Sequence, residues 1–593
     1  MSASSVSRRQ FLAASSTSLL GATLTHSALA AVGSHNSQTA QPTPAPVLTG
    51  NHFTLHIRQH PINISGQPRM AVLVNDSFPA PTLHMREGER VHIEVINHLD
   101  EMTAIHWHGL LLPYQMDGVP MLSFDGIVPH SSFTYEFELQ QSGTYWYHAH
   151  AGFQEQLGLY GAIVIEPKQP RTNLPDPPQA AAQIAPQEQI VMLSDWTDIK
   201  PAQLLAKLKK ESHFDNQNPP TVAQFVQDIS ALGLRQAWQK RQMWQQMRMS
   251  PTDLADLTAG SFVYLCNGQT SATPWQAQVI PNQPLKIRLI NASAQTIFDV
   301  RIPELPMTVI AADGQDVHPV TVDELRIAPA ETYDLFITPT QVAYTIFAQN
   351  IDRSGYVHAY LNQEAGLTAP VPTLDRPEWL AMHDMMGNMS HAQHGQTVPA
   401  QPIEHANHQH HRPLEHSQHA QHKHQTSRNP MVDMRVDQPR RNLNDAGVNL
   451  RHQAQTGRRV LTYADLRTVG GSEDPRSPSR TITLRLTGNM QRYVWGFDGV
   501  SYADAQPILL KVGERVRFVL INDTMMTHPM HLHGMWSEVR SADGDFQVRK
   551  HTIMVQPAQQ VSFDVTGIVG RWAFHCHLLY HMESGMFREV RVV

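Results

Sequence analysis

From about Leu48 onward, apolar and polar residues alternate in short runs broken by Gly and Pro, the pattern of strands and turns. One run is written three times. GERVHIEVIN spans Gly88 to Asn97, GERVRFVLIN spans Gly513 to Asn522, and a diverged copy, NQPLKIRLIN, spans Asn282 to Asn291. Three copies of one strand predict three related β domains. QLLAKLKKE and ALGLRQAWQKRQMWQQMRM, within residues 201–257, depart from strand spacing and predict helices inserted into the middle domain. Residues 31–45, rich in Ser, Thr, Pro and Ala, predict a flexible leader.

Alternation also sorts the histidines. In HCHLLYHMESGM, from His575 to Met586, a strand turns His575 and His577 to one face and Cys576 to the other. A blue-copper electron-transfer site takes a Cys thiolate, two imidazoles and a weak axial Met. Cys576, His581 and Met586 supply three of these, and His528 in HPMHLHG supplies the fourth. Same-face pairs occur again at His531 and His533, at His106 and His108 in HWHG, and at His148 and His150 in HAH. With His575 and His577 they make eight imidazoles, the ligand set of a three-copper cluster. One such pair alone is weak, since single histidines are mostly solvated or packed. Four pairs with a Cys inside the last are not explained that way.

The repeat puts these motifs in register. Nine and eleven residues after Asn97 stand His106 and His108; nine and eleven after Asn522 stand His531 and His533. At the same offsets the middle copy has Val300 and Ile302, so the middle domain is expected to act as a spacer. GTYWYHAH, ending at His150, aligns with GRWAFHCH, ending at His577. That register places Thr103, Ala149, Gln154 and Leu159 where the last domain has His528, Cys576, His581 and Met586. The cluster is therefore expected between the first and last domains, and the blue copper in the last alone.

A low-complexity tract joins the second and third domains. It carries Met382, Met385, Met386 and Met389, eleven histidines from His383 to His424, then Met431 and Met434. With almost no apolar periodicity it predicts a largely disordered linker. Thioethers suit Cu(I) and imidazoles suit Cu(II), so copper capture is the favoured role and zinc or nickel binding the competing one. Met243, Met247 and Met249 in the inserted helices are further candidate copper donors, with packing as the alternative.

The chain has 593 residues, a formal charge of -7 and two cysteines. Nothing in that balance points to nucleic acid. If Cys576 holds copper, no intramolecular disulfide is left to form, and Cys266 in FVYLCNG reads as a buried strand residue. Arg8 and Arg9, a short apolar stretch and Ala28-Leu29-Ala30 match a twin-arginine export signal, which predicts a periplasmic mature protein without membrane insertion.

HxHG, HxH, HxxHxHG and HCHxxxHxxxxM, in this order, resemble the motifs of the multicopper oxidases over roughly residues 48–365 and 455–593. The export signal, Met-bearing insert, SPTDLADL, Met/His tract and HLLYHMESGMF ending together resemble the copper-resistance protein A branch. The resemblance implies an all-β chain of three cupredoxin-like Greek-key β-barrels, with the helical insertion and disordered Met/His-rich linker already noted. The expected boundaries are signal 1–30, leader 31–47, domain one 48–168, domain two 185–365, linker 366–455 and domain three 456–593. It also implies four copper ions: type 1 on His528, Cys576, His581 and Met586, type 2 on His106 and His531, and a type 3 pair on His108, His148, His150, His533, His575 and His577. Electrons taken singly from a substrate would cross from Cys576 to its neighbouring histidines, and dioxygen would be reduced to water.

Asp117 in QMDGVP matches a family acid and is a candidate proton relay. Glu583 is a second candidate. It lies one place beyond the position of a Glu found in some bacterial metal oxidases, here Met582. An axial Met586 argues for a modest potential and, with the soft donors, for Cu(I) as substrate. Laccase-type phenol oxidation and copper sequestration are the alternative readings. A monomer served by a periplasmic copper-delivery protein is the expected assembly.

Overall fold

The computed structural model describes residues 45–169, 187–247, 249–387, 429–451 and 456–593. The export signal, most of the leader, Met389 and most of the linker histidines lie outside the described residues, as do the side chains of Met243 and Met247.

The strands form six sheets, two per domain. Counted from each domain's own first strand, the middle and last domains share one order, 2-1-4-9-6-7 in one sheet and 3-11-10-5-8 in the other. Neighbours so far apart in sequence are the mark of Greek-key connection. The three repeated runs become the strands Arg90–Asn97, Leu285–Asn291 and Arg515–Asn522. Each runs parallel to the strand His52–Asn63, Gln187–Trp196 or Arg480–Asn489 and antiparallel to a later one. Their alternation is realised as burial: Val91, Ile93 and Val95 are fully buried, as are Val516, Phe518 and Leu520.

The Asn that closes each run has a structural reason. Asn97 donates from Nδ2 to the carbonyls of Glu101 and Ile127, both at 2.9 Å, and accepts the Leu99 N–H. Asn291 does the same with Thr296, Ile327 and Ser293. Asn522 repeats it with Met526, Val555 and Thr524. All three are fully buried. Each clamps the loop that leads into the next strand, and so holds the nine-residue count from Asn to the first histidine of the His-x-His pair in the outer domains. In the middle domain Val300 and Ile302 are packed in hydrocarbon.

The predicted insertion contains the helices Pro201–Lys210, Val222–Leu232 and Leu234–Met247. The second predicted stretch is split by Gly233, at φ 79°, a conformation that favours glycine. Leu204 and Leu208 fasten the first helix to the core. The flanks of the Met/His tract, which carry no apolar period, nonetheless pack: Leu380, Met385, Val436 and Leu450 are buried, and Met382–Met386 is a single helical turn. Lys550 of the last domain reaches Asp313 at 3.0 Å and Glu331 at 3.1 Å in the middle one, all three fully buried. Cys266 ends the strand Val263–Cys266, buried, its thiol pushed up to about 12 by desolvation. Among the described residues no helix is long and apolar enough to cross a membrane.

Candidate metal centre

Strand Ile105–His108 pairs antiparallel with Gly143–Ala149, setting His106 opposite His148. In the last domain His528–Leu532 pairs with Gly570–Cys576, setting His531 opposite His575. The two edges meet face to face. The rings of His108 and His531 stack at 3.8 Å, and those of His106 and His533 lie 4.0 Å apart. All eight predicted imidazoles converge, in the groups His106/His108/His531, His108/His148/His577 and His150/His533/His575, with ligand atoms within 4.8 Å of one another.

The outer nitrogens of five of them are held by the protein. His106 donates from Nδ1 to the Asp117 carbonyl at 2.7 Å, His531 to the His551 carbonyl at 2.7 Å, and His575 to the Cys576 carbonyl at 2.9 Å. Asp117 Oδ2 lies 2.8 Å from His533 Nδ1, tying the first domain to the last, and Glu155 Oε2 lies 2.8 Å from His148 Nδ1. With Nδ1 so engaged the lone pair falls on Nε2. The Nε2 atoms of His106, His108, His148, His150, His531 and His577 are buried with no protein partner, and those of His533 and His575 face each other at 3.0 Å. Burial, then the neighbouring imidazoles, holds His106, His108, His531 and His533 well below the usual histidine range, and burial takes His575 to about 4. These five rings are therefore neutral, the form that binds a metal.

Cys576 turns the other way, as strand alternation predicts. Its Sγ lies 3.5 Å from His528 Nδ1 and 3.8 Å from His581 Nδ1, and those two nitrogens are 3.1 Å apart. Here Nδ1 points inward and Nε2 is held: His528 Nε2 meets the Thr524 hydroxyl at 2.7 Å and His581 Nε2 meets Asp256 Oδ2 at 2.7 Å. Trp495 stacks on His581 at 3.9 Å. Met586, fully buried, is tied back by its N–H to the His581 carbonyl and by its carbonyl to the Cys576 N–H. Burial pushes the Cys576 thiol up, so its thiolate requires a cation beside it.

The aligned positions of the first domain show what replaces such a site. Thr103 donates its hydroxyl to Gln154 Oε1 at 2.6 Å, and Ala149 and Leu159 pack in the core.

The chain is 48% identical to "Copper resistance protein A" of Pseudomonas syringae pv. tomato, covering 92% of this chain and 93% of that protein. It is 48% identical to "Copper resistance protein A" of Escherichia coli, covering 95% and 96%. Three family models described as multicopper oxidase match residues 56–170, 187–366 and 475–593. The chain belongs to the multicopper oxidase family. Among solved structures the multicopper oxidase fold is shared with Fet3p, a multicopper oxidase that functions in iron import, at a TM-score of 0.63 and 18% identity over 92% and 90% of the two chains. It is also shared with a metallo-oxidase of Campylobacter jejuni, at 0.57 and 18% over 94% and 95%.

Multicopper oxidases carry copper, and the residues here fit it: converging imidazoles, six of them with an unpartnered Nε2, on one side of the strand, and a thiol, two imidazoles and a thioether-bearing residue on the other. Of the two candidate acids, Asp117 contacts two cluster histidines, while Glu583 lines the wall of a 590 Å³ pocket that reaches His148, His150, His575 and His577. The carboxylate within reach of an imidazole on that side is Glu155, which also lines the pocket. Sequence reading missed Glu155 and Asp256. Asp256 lies in SPTDLADL, noted only as a branch marker; Glu155 directly follows Gln154, one of the aligned positions. It also missed His551, a buried ring 4.7 Å from His108 and outside any His-x-His pair. Met249 is packed beside Trp244 in the core and Met385 is fully buried.

Proposed function

We propose that this multicopper oxidase oxidises Cu(I) to Cu(II), reduces dioxygen to water and serves copper resistance in the periplasm. The observation that carries this reading is the burial of the side chains around Cys576. His528, His581, Cys576 and Met586 are fully buried, and the outer nitrogens of both imidazoles are occupied by Thr524 and Asp256. With no ligand of this site exposed, a bulky phenol has no imidazole edge to touch, whereas a metal ion held by nearby soft donors can pass its electron through the protein. The laccase-type reading is accordingly disfavoured. Similarity to copper resistance proteins A over nearly the whole chain supports the same choice.

In this proposal four coppers are held, one by His528, Cys576, His581 and Met586, one by His106 and His531, and two by His108, His148, His150, His533, His575 and His577. They would supply one-electron transfer at the first site and dioxygen reduction at the other three. Cys576 is joined through the backbone to His575 and His577, which makes the strand itself the bridge between the two sites. Asp117 and Glu155 hold the cluster rings in the metal-binding tautomer and stand closest to it as proton carriers. The 590 Å³ pocket lined by His148, His150 and Glu155 provides a way in for dioxygen. Met382 and Met386, half-buried beside Met385, are soft donors on the flank of the linker. The twin-arginine route, a copper-delivery partner and a monomeric state complete the proposal.

Oxygen uptake by the copper-loaded protein, with Cu(I) and separately with a phenol, tests it against a Cys576→Ser control. Uptake with Cu(I) that disappears in Cys576→Ser supports a cuprous oxidase. Uptake mainly with the phenol refutes that substrate, and none with either makes the chain a copper store.

A further inference from the structure

Among the described residues, imidazole nitrogens come within hydrogen-bond distance of one another at three places. Two belong to the copper sites above: His533 to His575 at 3.0 Å, and His528 to His581 at 3.1 Å. The third lies elsewhere. His56 Nδ1 and His98 Nε2 are 3.0 Å apart on the outer face of the four-stranded sheet of the first domain.

Strand alternation explains why they face outward. In His52–Asn63 the residues Phe53, Leu55 and Ile57 are buried, which turns His52 and His56 to the opposite face. His98 follows directly after the clamped Asn97 of the neighbouring parallel strand. Both backbones are pinned: the His98 N–H donates to the Ile57 carbonyl at 2.9 Å, and the His56 N–H donates to Asn75 Oδ1 at 2.7 Å. Four residues along the strand, His52 and His92 stack in parallel at 4.6 Å, so the imidazoles form a stripe.

Two nitrogens bound to one metal at about 2.0–2.1 Å, at an angle between square and tetrahedral, stand roughly 2.9–3.3 Å apart. The His56–His98 spacing falls in that range, as do the two pairs that the family assigns to copper. Desolvation, then the charge of Arg58 and the ring of His56, lowers His98 from the usual histidine range, leaving its lone pair available near neutral pH.

We propose that His56 and His98 form a surface site for a divalent transition metal that prefers imidazole, Cu(II) before Zn(II). The order follows from the intrinsic affinity of nitrogen donors for the first-row ions. Neither thioether nor thiol takes part, so the site selects the oxidised ion, and its existence does not depend on which substrate the oxidase uses.

The test uses the full chain with its resident copper in place, titrated with Cu(II) and then briefly treated with diethyl pyrocarbonate, with histidine modification read peptide by peptide by mass spectrometry. Labelling of His56 and His98 is expected to fall together, about tenfold once Cu(II) is ten times above the dissociation constant. His130, exposed and paired with Asp100 at 3.1 Å, should keep its rate. In His98→Gln the protection of His56 should vanish. Unchanged labelling of His56 and His98 at saturating Cu(II) overturns the proposal in favour of a plain imidazole hydrogen bond. Protection of His56 that survives in His98→Gln overturns it as well.

Discussion

Asp256→Ala removes one carboxylate oxygen that serves three donors at once: His581 Nε2 at 2.7 Å, Gln295 Nε2 at 2.8 Å and the Tyr493 hydroxyl at 3.0 Å. All of these groups are buried, out of reach of bulk water. Each orphaned buried donor costs about 1–3 kcal/mol. Because the three share one acceptor their losses are less than additive, which puts the whole at about 3–5 kcal/mol. The loss falls where the middle domain holds the last, since Asp256 and Gln295 belong to one and His581 and Tyr493 to the other. Asp256→Asn keeps the volume and one acceptor and should cost only ~1–2 kcal/mol. A second effect separates packing from metal chemistry. A carboxylate behind a ligating imidazole raises its basicity, and losing it lowers metal affinity about 10- to 100-fold. Urea unfolding measures the first effect. Retention of the blue absorption against a copper chelator measures the second. An Asp256→Ala protein with the wild-type midpoint and unchanged copper retention would refute the argument.

Three further substitutions probe other parts of the structure. Gly118→Ala sets a Cβ 1.8 Å from the Ile105 carbonyl at a residue with φ 83°, so the loop carrying Asp117 must shift; copper content by elemental analysis should fall, and a full complement would show that the loop adapts. Lys550→Met strips the cation from two fully buried carboxylates, Asp313 and Glu331, and should lower stability by about 3–5 kcal/mol in urea unfolding. Burial raises Asp352 to about 6, so the folded state favours its protonated form; the stability it contributes is full below the unfolded value near 3.8 and is lost as pH rises through about 6. Asp352→Asn should therefore be the more stable protein at pH 7 by about 1–3 kcal/mol, with the difference gone by pH 4.

The cluster was legible in the sequence because its geometry is local. His106 and His108 sit at a fixed count from a clamped Asn, and a two-residue period turns both to one face. The loss of ligands in the middle and first domains was legible for the same reason, and Thr103 and Gln154 stand where that register put them. Asp256 was not, because it meets His581 across a separation of 325 residues and no periodicity connects them. Glu155 was not legible either, because only the fold brings it to His148. The packed flanks of the linker escaped because Leu380 and Val436 are buried singly by straps lacking regular structure, which leave no repeating pattern.

The three buried asparagines make the chain its own control experiment. Asn97, Asn291 and Asn522 make the same hydrogen bonds in three copies of one barrel, yet only the first and last lead to imidazoles. Asn291→Ala reports what the broken clamp does to a β-barrel with no histidine pair behind it. Asn97→Ala and Asn522→Ala report that same damage plus whatever it does to the ligands nine residues on. The difference between them separates the architecture of the fold from the alignment of the metal site, two quantities that a single-copy protein leaves entangled.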